Sequence, residues 1–535
     1  MKQLTDMTPQ TRILIATVIA LLFFIPYSYF FTPEPAPKDE TTKTEQSSTA
    51  TTDSNSAPAS SSAPNSTPES SAPISEVDRK DIIASINSEH YTVSIDKLGR
   101  ISQVTLKDER FLDKSDRSEL GLFSPDASPK PLEIRFANPE LNAKAFEIPY
   151  SSDKSEIDIK NDSGNITLTQ NLDGVVVKKI ITFHNNGSYN LKVETTTDDT
   201  YFLYPGSTPN TDDDMFAFRG AIVGLADETL EKFEDGDFTQ NTQVYEGTNI
   251  AASVDRYYAS ILFKEDSTFE SIVSRGKEDN PQISIRTNGN YEINGYIGPK
   301  QYETLKSIDS KLTSIVDYGF ITFFAKPLFI FLMYLEGLVG NWGWAIVLLT
   351  LVVRIILYPL TYKGMVSMQK LKDLAPKIKE LQRKYKDDKQ KLQMHMMDMY
   401  KKNGANPLGG CLPILLQMPI FFAIYMVLYN AIELKGAGWI FWINDLSVMD
   451  PYYILPILMG GSMYLHQVLT PTTFQDPLQE KLFKFLPLIF TFFFLTFPSG
   501  LVLYWFVNNL FSIAQQWIIN KSFEKKRAKK NEQEV

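Results

Sequence analysis

The sequence holds one cysteine, Cys411, in 535 residues, which excludes an intramolecular disulfide and any metal centre built from several thiolates. Its four histidines, His90, His184, His395 and His466, are scattered, so spacing offers no histidine-built metal site either. HExxH, Walker and dinucleotide fingerprints are absent, and neither a nucleotide nor another cofactor is expected. Asp and Glu are missing from the middle of every long apolar run, and no internal repeat is visible. Both absences count against a proton-coupled transporter, which relies on a buried carboxylate and repeated halves.

What is present is unevenly placed. The mean hydropathy of -0.17 is that of a soluble protein, but it averages over two unlike regions. Nearly all the long apolar runs fall beyond residue 320. The net charge is -10, yet residues 361–410 carry 12 Lys/Arg against 5 Asp/Glu, and residues 520–535 carry 6 against 3. Basic charge confined to two short segments beside apolar runs is the pattern of a membrane protein obeying the positive-inside rule.

Ile13 to Phe31 is 19 uncharged residues preceded by Lys2 and Arg12, close to the roughly 20 residues that a membrane crossing takes. It ends in bulky Tyr29, Phe30 and Phe31 rather than small residues, so residues 1–31 are expected to be an uncleaved signal anchor with the N-terminus inside. Residues 32–75 contain 19 Ser or Thr and seven Pro, and are expected to be a disordered tether, because such a composition buries too little apolar surface to order itself. Residues 76–315 change to period two, as in Tyr91, Val93, Ile95 and again in Tyr189, Leu191, Val193. Turn signals such as Asn186-Gly187 separate the runs, and the expectation is an extracytoplasmic all-β sandwich.

Charge parity sets the expected topology of the remainder. If both Phe320–Gly340 and Trp342–Leu360 crossed, the basic segment 361–410 would lie outside. Residues 316–340, which contain Lys326-Pro327 and Glu336, are therefore expected as an interfacial amphipathic helix. A core of five spans follows across 341–519, at 341–360, 412–432, 452–469, 482–497 and 501–519, with a cytoplasmic helical hairpin at 361–410 and a basic cytoplasmic tail at 520–535. The fold class expected is a polytopic α-helical membrane protein with six spans, both termini inside, carrying the large β domain.

Arg354 is the strongest single signal for function, a lone charge in an otherwise apolar span. An arginine at a helix centre costs about 2.5–3.5 kcal/mol on insertion scales, and such residues face a wet cavity or a partner. The other reading is snorkelling to the inner surface. Thr350 lies one turn before it on the same face, and Gln417, Asn430, Asn508, Asn509, Gln515 and Gln516 add polar groups to other spans. These either line a wet groove or bond helix to helix. The hairpin is rich in methionine (Met365, Met368, Met394, Met396, Met397, Met399), which suits promiscuous apolar binding or the hairpin's own packing. Ser462 and His466, one turn apart, raise a protease reading. No orienting acid accompanies them, and small residues for helix packing are the alternative.

Several segments resemble the YidC membrane protein insertases: Val353-Arg354 through Tyr358-Pro359-Leu360, Asp387-Asp388-Lys389-Gln390, Asn406 through Cys411, Gln417 through Phe421, Asp450 through Pro456, and Phe497 through Tyr504. The β domain resembles that family's periplasmic domain at Tyr296 through Lys300 and Val316 through Gly319. The resemblance implies a non-enzymatic insertase and chaperone of the bacterial inner membrane, with residues 32–340 on the periplasmic side. It implies that Arg354 lines a hydrophilic groove and attracts acidic residues of the substrate. It further implies substrate contacts at Thr350, Met418, Phe421, Tyr504 and Trp505, and cytoplasmic contacts to substrate or partner at Met365, Met368, Met397, Asp387 and Asp388. The implied partners are nascent membrane proteins, the Sec translocon, membrane lipids, and the ribosome through the tail and hairpin.

Overall fold

The computed structural model describes residues 81–533 except 113–117, 160–162, 210–216, 240–241, 317, 387, 405–411 and 471–476. The expected anchor, the tether and Asp387 lie outside the described residues.

Alternating apolar residues become strands whose inward positions share one face. A five-stranded sheet runs in the order Leu120–Gly121, Ile101–Leu106, Tyr91–Asp96, Ile82–Asn87, Glu156–Asp158. It packs on a thirteen-stranded sheet in which Ser163–Leu172, Val175–His184, Ser188–Thr195 and Tyr291–Pro299 pair antiparallel in that order. Ile86, Val93, Ile95 and Val104 of the smaller sheet and Ile166, Leu168, Val177, Ile181 and Leu191 of the larger are at most 3% exposed and share one core. The domain is therefore a β-sandwich. Lys179 takes an inward position of the alternation, between Val177 and Ile181, where the neighbouring inward side chains are apolar. Its ammonium donates to the carbonyls of Gly99 (2.9 Å) and Leu132 (2.8 Å) and lies 4.7 Å from the centre of the Tyr150 ring.

Seven helices follow the sandwich's last short helical turns among the described residues. Helix α1 (Thr322–Val339) stops at Gly340, whose φ of 65° is the left-handed conformation that favours glycine at a helix end. Asn341 caps α2 (Trp342–Lys384) by accepting from the Trp344 amide at 3.1 Å. Helix α2 is 43 residues long, so the expected boundary at 360/361 is a change of charge within one continuous helix. No capping or glycine signal interrupts the backbone there, and Pro359 and Pro376 are accommodated inside it. Asp388 caps α3 (Lys389–Lys402), which lays Met396 and Met399 against Leu371, Leu374 and Ile378 of α2.

Helices α4 (Leu412–Asn430), α5 (Ile454–Leu469), α6 (Pro477–Phe493) and α7 (Ser499–Gln533) complete the bundle. The tail expected at 520–535 continues α7 without a break as far as Gln533. Among the described residues α1 and α2 are long and apolar enough to cross a bilayer. Gln417–Asn430, Ile454–Leu469 and Phe483–Thr496 are shorter apolar helices. Asp450 organises the α4–α5 loop, accepting from the Trp442 indole (3.1 Å) and from the Leu455 amide (2.6 Å). That loop also caps α7, whose Ser499 and Gly500 amides donate to the carbonyls of Val448 (2.7 Å) and Leu446 (2.9 Å).

Three contacts tie the sandwich to the far end of α4. The Arg256 guanidinium donates to the Tyr429 carbonyl from Nε (3.0 Å) and Nη2 (2.6 Å) and lies over the Tyr257 and Tyr429 rings at 4.5 and 3.9 Å. A cation at the carbonyl end of a helix complements its dipole. Lys435 donates to the Tyr258 hydroxyl (2.8 Å), and Glu433 accepts from the Tyr302 amide (2.9 Å). Burial raises the pKa of the Glu433 carboxyl above its ordinary value.

The two adjacent glycines of α5 differ in their surroundings. A Cβ on Gly460 would collide with the Thr491 hydroxyl and approach Thr491 Cβ to 3.0 Å, whereas one on Gly461 meets nothing within 4 Å. Gly460→Ala is expected to destabilise the protein in detergent by about 1–3 kcal/mol, the usual cost of overpacking, and Gly461→Ala to leave it unchanged or slightly more stable. Thermal unfolding of the two variants side by side checks this, and equal melting points would contradict close α5–α6 packing at Gly460.

Candidate functional site

The site is built where α2 meets α7. Arg354 Nε donates to Asn508 Oδ1 at 2.7 Å, and Nη2 donates to the Asn508 carbonyl at 3.2 Å and to Ser512 Oγ at 2.6 Å. All three acceptors are neutral, and no carboxylate among the described residues pairs with the guanidinium. Of its five N–H groups the two on Nη1 have no acceptor among the described residues. Arg354 is half-buried, while Ile355 and Ile356 beside it are 62% and 69% exposed, giving α2 an apolar outer face next to the charge.

Tyr504, Asn508 and Ser512 are spaced four apart and share one face of α7. Across from them Thr350 and Arg354 share one face of α2 by the same spacing. Thr350 is 1% exposed and its hydroxyl donates to the Ile346 carbonyl (2.7 Å); Tyr504 is 1% exposed and its hydroxyl accepts from Gln417 Nε2 (3.1 Å). Met418, Phe421 and Trp505 are half-buried. Phe421 packs edge-on against Trp505 with centroids 4.6 Å apart and stacks on Tyr504 at 6.4 Å. Phe494 adds a ring 5.0 Å from Trp505. An aromatic cluster from α4, α7 and the turn after α6 thus sits about one turn along α7 from Asn508, which holds the arginine.

The polar residues of the apolar helices divide between the two readings. Gln515 donates to the Thr361 hydroxyl (2.9 Å) and Asn509 to Ser462 Oγ (3.2 Å), which are bonds between helices, whereas Asn430 donates to the Met426 carbonyl of its own helix (3.0 Å). Asn508 holds the arginine. Ser512 does the same, and sequence reasoning passed over it because a serine in a helix is a weak signal. Its spacing of four from Asn508 was the available clue.

On the hairpin, Met365 and Met368 are half-buried, with Met368 in the seam between α2 and α3, while Met397 is 41% exposed. Asp388 is the α3 cap and pairs with Lys391 at 3.1 Å. The Lys391 backbone N–H holds its carboxyl below the usual carboxylate range.

Comparison with known proteins bears on both halves of the chain. Residues 84–331 match the family described as the YidC periplasmic domain, and residues 334–527 match the family described as 60Kd inner membrane protein. A protein named membrane protein insertase YidC from Wolinella succinogenes is 57% identical over 524 residues, covering 97% of this chain and 96% of its own length. The chain belongs to the YidC membrane protein insertase family. The Campylobacter jejuni member is 48% identical over 523 residues, covering 97% and 98% of the two chains. A crystal structure described as an active YidC insertase covers 81% of this chain and 94% of its own at 20% identity, with a TM-score of 0.37, too low to support a detailed correspondence. As a YidC family member this is an inner-membrane protein, and its β-sandwich is the periplasmic domain.

Ser462 and His466 are the last candidates to place. The Ser462 hydroxyl donates to the Met459 carbonyl (2.6 Å) and accepts from Asn509, so it joins α5 to α7. Such a bond averages about 0.6 kcal/mol in a membrane bundle. Ser462→Ala is therefore expected to grow and insert proteins close to wild type in a depletion strain, and so is His466→Gln. Loss of one specific cleavage fragment in both variants would point instead to a catalytic pair, since such residues act as a unit.

Proposed function

We propose that this protein is a membrane protein insertase and chaperone that passes hydrophobic segments from the cytoplasm to the lipid, alone or beside the Sec translocon, without bond-making chemistry. Its family membership supports insertion as the activity. The observation that carries the mechanism is Arg354, a positive charge among apolar residues whose bonded partners are all neutral. In this reading the chain has six spans with both termini in the cytoplasm, α1 lies along the outer interface, and Arg354 lines a hydrophilic groove.

The substrate's polar end enters the groove toward Arg354 while its apolar segment slides past Met418, Phe421 and Trp505 into lipid. Thr350 and Tyr504 are closed from solvent, so their contact with substrate follows a parting of α2, α4 and α7. The driving force is apolar burial at about 25 cal/mol per Å², aided by the membrane potential at about 2.3 kcal/mol per charge per 100 mV acting on acidic residues. The exposed methionines of α3 are the first cytoplasmic surface that a nascent chain meets. The basic end of α7 adds attraction to anionic lipid and to the ribosome.

Arg354→Ala is expected to reduce insertion of substrates with acidic translocated segments roughly tenfold, the size of losing a charge-assisted hydrogen bond, and Arg354→Lys to reduce it less because the charge remains. Protease protection of newly made substrates measures this, and normal insertion by Arg354→Glu would sink the groove. Photo-crosslinkers placed on the hairpin test early capture. Met397 is expected to trap nascent chains before Phe421 does, and Met368, turned into the hairpin seam, to trap few. Capture at Phe421 first would make the hairpin purely structural.

A further inference from the structure

Asparagine and aspartate have nearly the same shape, so the position that holds the Arg354 guanidinium could carry a carboxylate. It carries an amide. A carboxylate at position 508 would satisfy the half-buried charge better, by a charge-assisted pair of about twice the strength of a neutral bond. Asn508 and Ser512 instead supply oxygen acceptors with no charge, so the arginine is held in place and its positive charge is left uncompensated. The hold is also one-sided. Nε and Nη2 are engaged by α7, and Ser512 Oγ is itself oriented by its bond to the Asn508 carbonyl (2.8 Å). The donors left over are both on Nη1.

We infer that Asn508 and Ser512 are the specificity-setting residues of this site: they hold Arg354 by its Nε and Nη2 edge with neutral acceptors, and so present Nη1 with its full charge to a carboxylate of the translocated segment. The inference rests on the groove reading above and deepens it. The substrate class it names is a segment carrying Asp or Glu, engaged through one end of the guanidinium. An anion supplied by the protein itself would occupy the same charge and compete with the substrate, which is a physical reason for an amide at 508. Neither residue touches the substrate, and both act through Arg354 as positioning residues.

The test uses the full-length protein in liposomes and a single-span substrate whose translocated segment carries two Asp residues or two Asn residues. Asn508→Asp places a carboxylate within the existing geometry. It is expected to lower insertion of the Asp substrate about tenfold and of the Asn substrate less than about twofold, on the order of one charge-assisted bond, without lowering the melting temperature. Asn508→Leu, which removes bonds but adds no charge, is expected to discriminate less between the two substrates than Asn508→Asp does. That order separates the proposal from a merely structural role, for which Leu is the more damaging change. Should Asn508→Asp not fold, Ser512→Asp poses the same question one turn away. If Arg354→Ala discriminates against the Asp substrate but Asn508→Asp does not, the inference is overturned and the groove reading stands. If Arg354→Ala treats both substrates alike, both fall together.

Discussion

A single uncompensated charge constrains how these helices pack. An arginine within an apolar helix is costly wherever it lacks bonding partners, and α2 supplies none from its own backbone. The partners come from α7, and the three bonds to Asn508 and Ser512 fix both the distance between the two helices and their rotation. From there the polar contact extends along α7, through Gln515 to Thr361 of α2 and through Asn509 to Ser462 of α5. Apolar contact alone gives helices in lipid little reason to choose one register over another, because lipid tails are as apolar as leucine. The polar stripe of α7 makes that choice, and the aromatic cluster of Phe421, Tyr504 and Trp505 packs around the outcome.

The sandwich acts on the same bundle from its other end. Arg256, Lys435 and Glu433 join it to the last turn of α4 and the residues just beyond, and the α4–α5 loop in turn caps the start of α7. Both helices that carry the aromatic cluster are thus held at the ends nearest the sandwich. Further along α7, Asn520 donates to the Leu469 carbonyl at the end of α5 (3.1 Å).

Much of this was legible in the amino-acid sequence, and the exceptions share a cause. Strands such as Tyr91–Asp96 and Ser188–Thr195 were visible because burial on one face imposes period two, and the turn Asn186-Gly187 because glycine alone favours its geometry. The burial of Lys179 was not visible, because the carbonyls of Gly99 and Leu132 that satisfy its ammonium are remote in sequence. The continuity of α2 was hidden by a shift from apolar to basic residues, which marks a change of solvent and leaves the helical backbone intact. Arg354 stood out because a charge in an apolar run is rare. Its partners did not, because asparagine and serine serve equally well as caps, packing residues or acceptors, and only the three-dimensional pairing of α2 with α7 decides among these roles.

The unbroken backbone of α2 makes it a rod that carries the arginine at one point and the methionine hairpin at another. Lys384 lies about 45 Å along the axis from Arg354 at 1.5 Å per residue, so a tilt of about 5° pivoting at the arginine sweeps the far end through about 4 Å. Load taken up by the hairpin therefore meets the Gln515 bond at Thr361 first and the bonds at Asn508 and Ser512 beyond it. Pro359, which cannot donate an amide hydrogen bond inside the rod, is the nearest point at which it can yield.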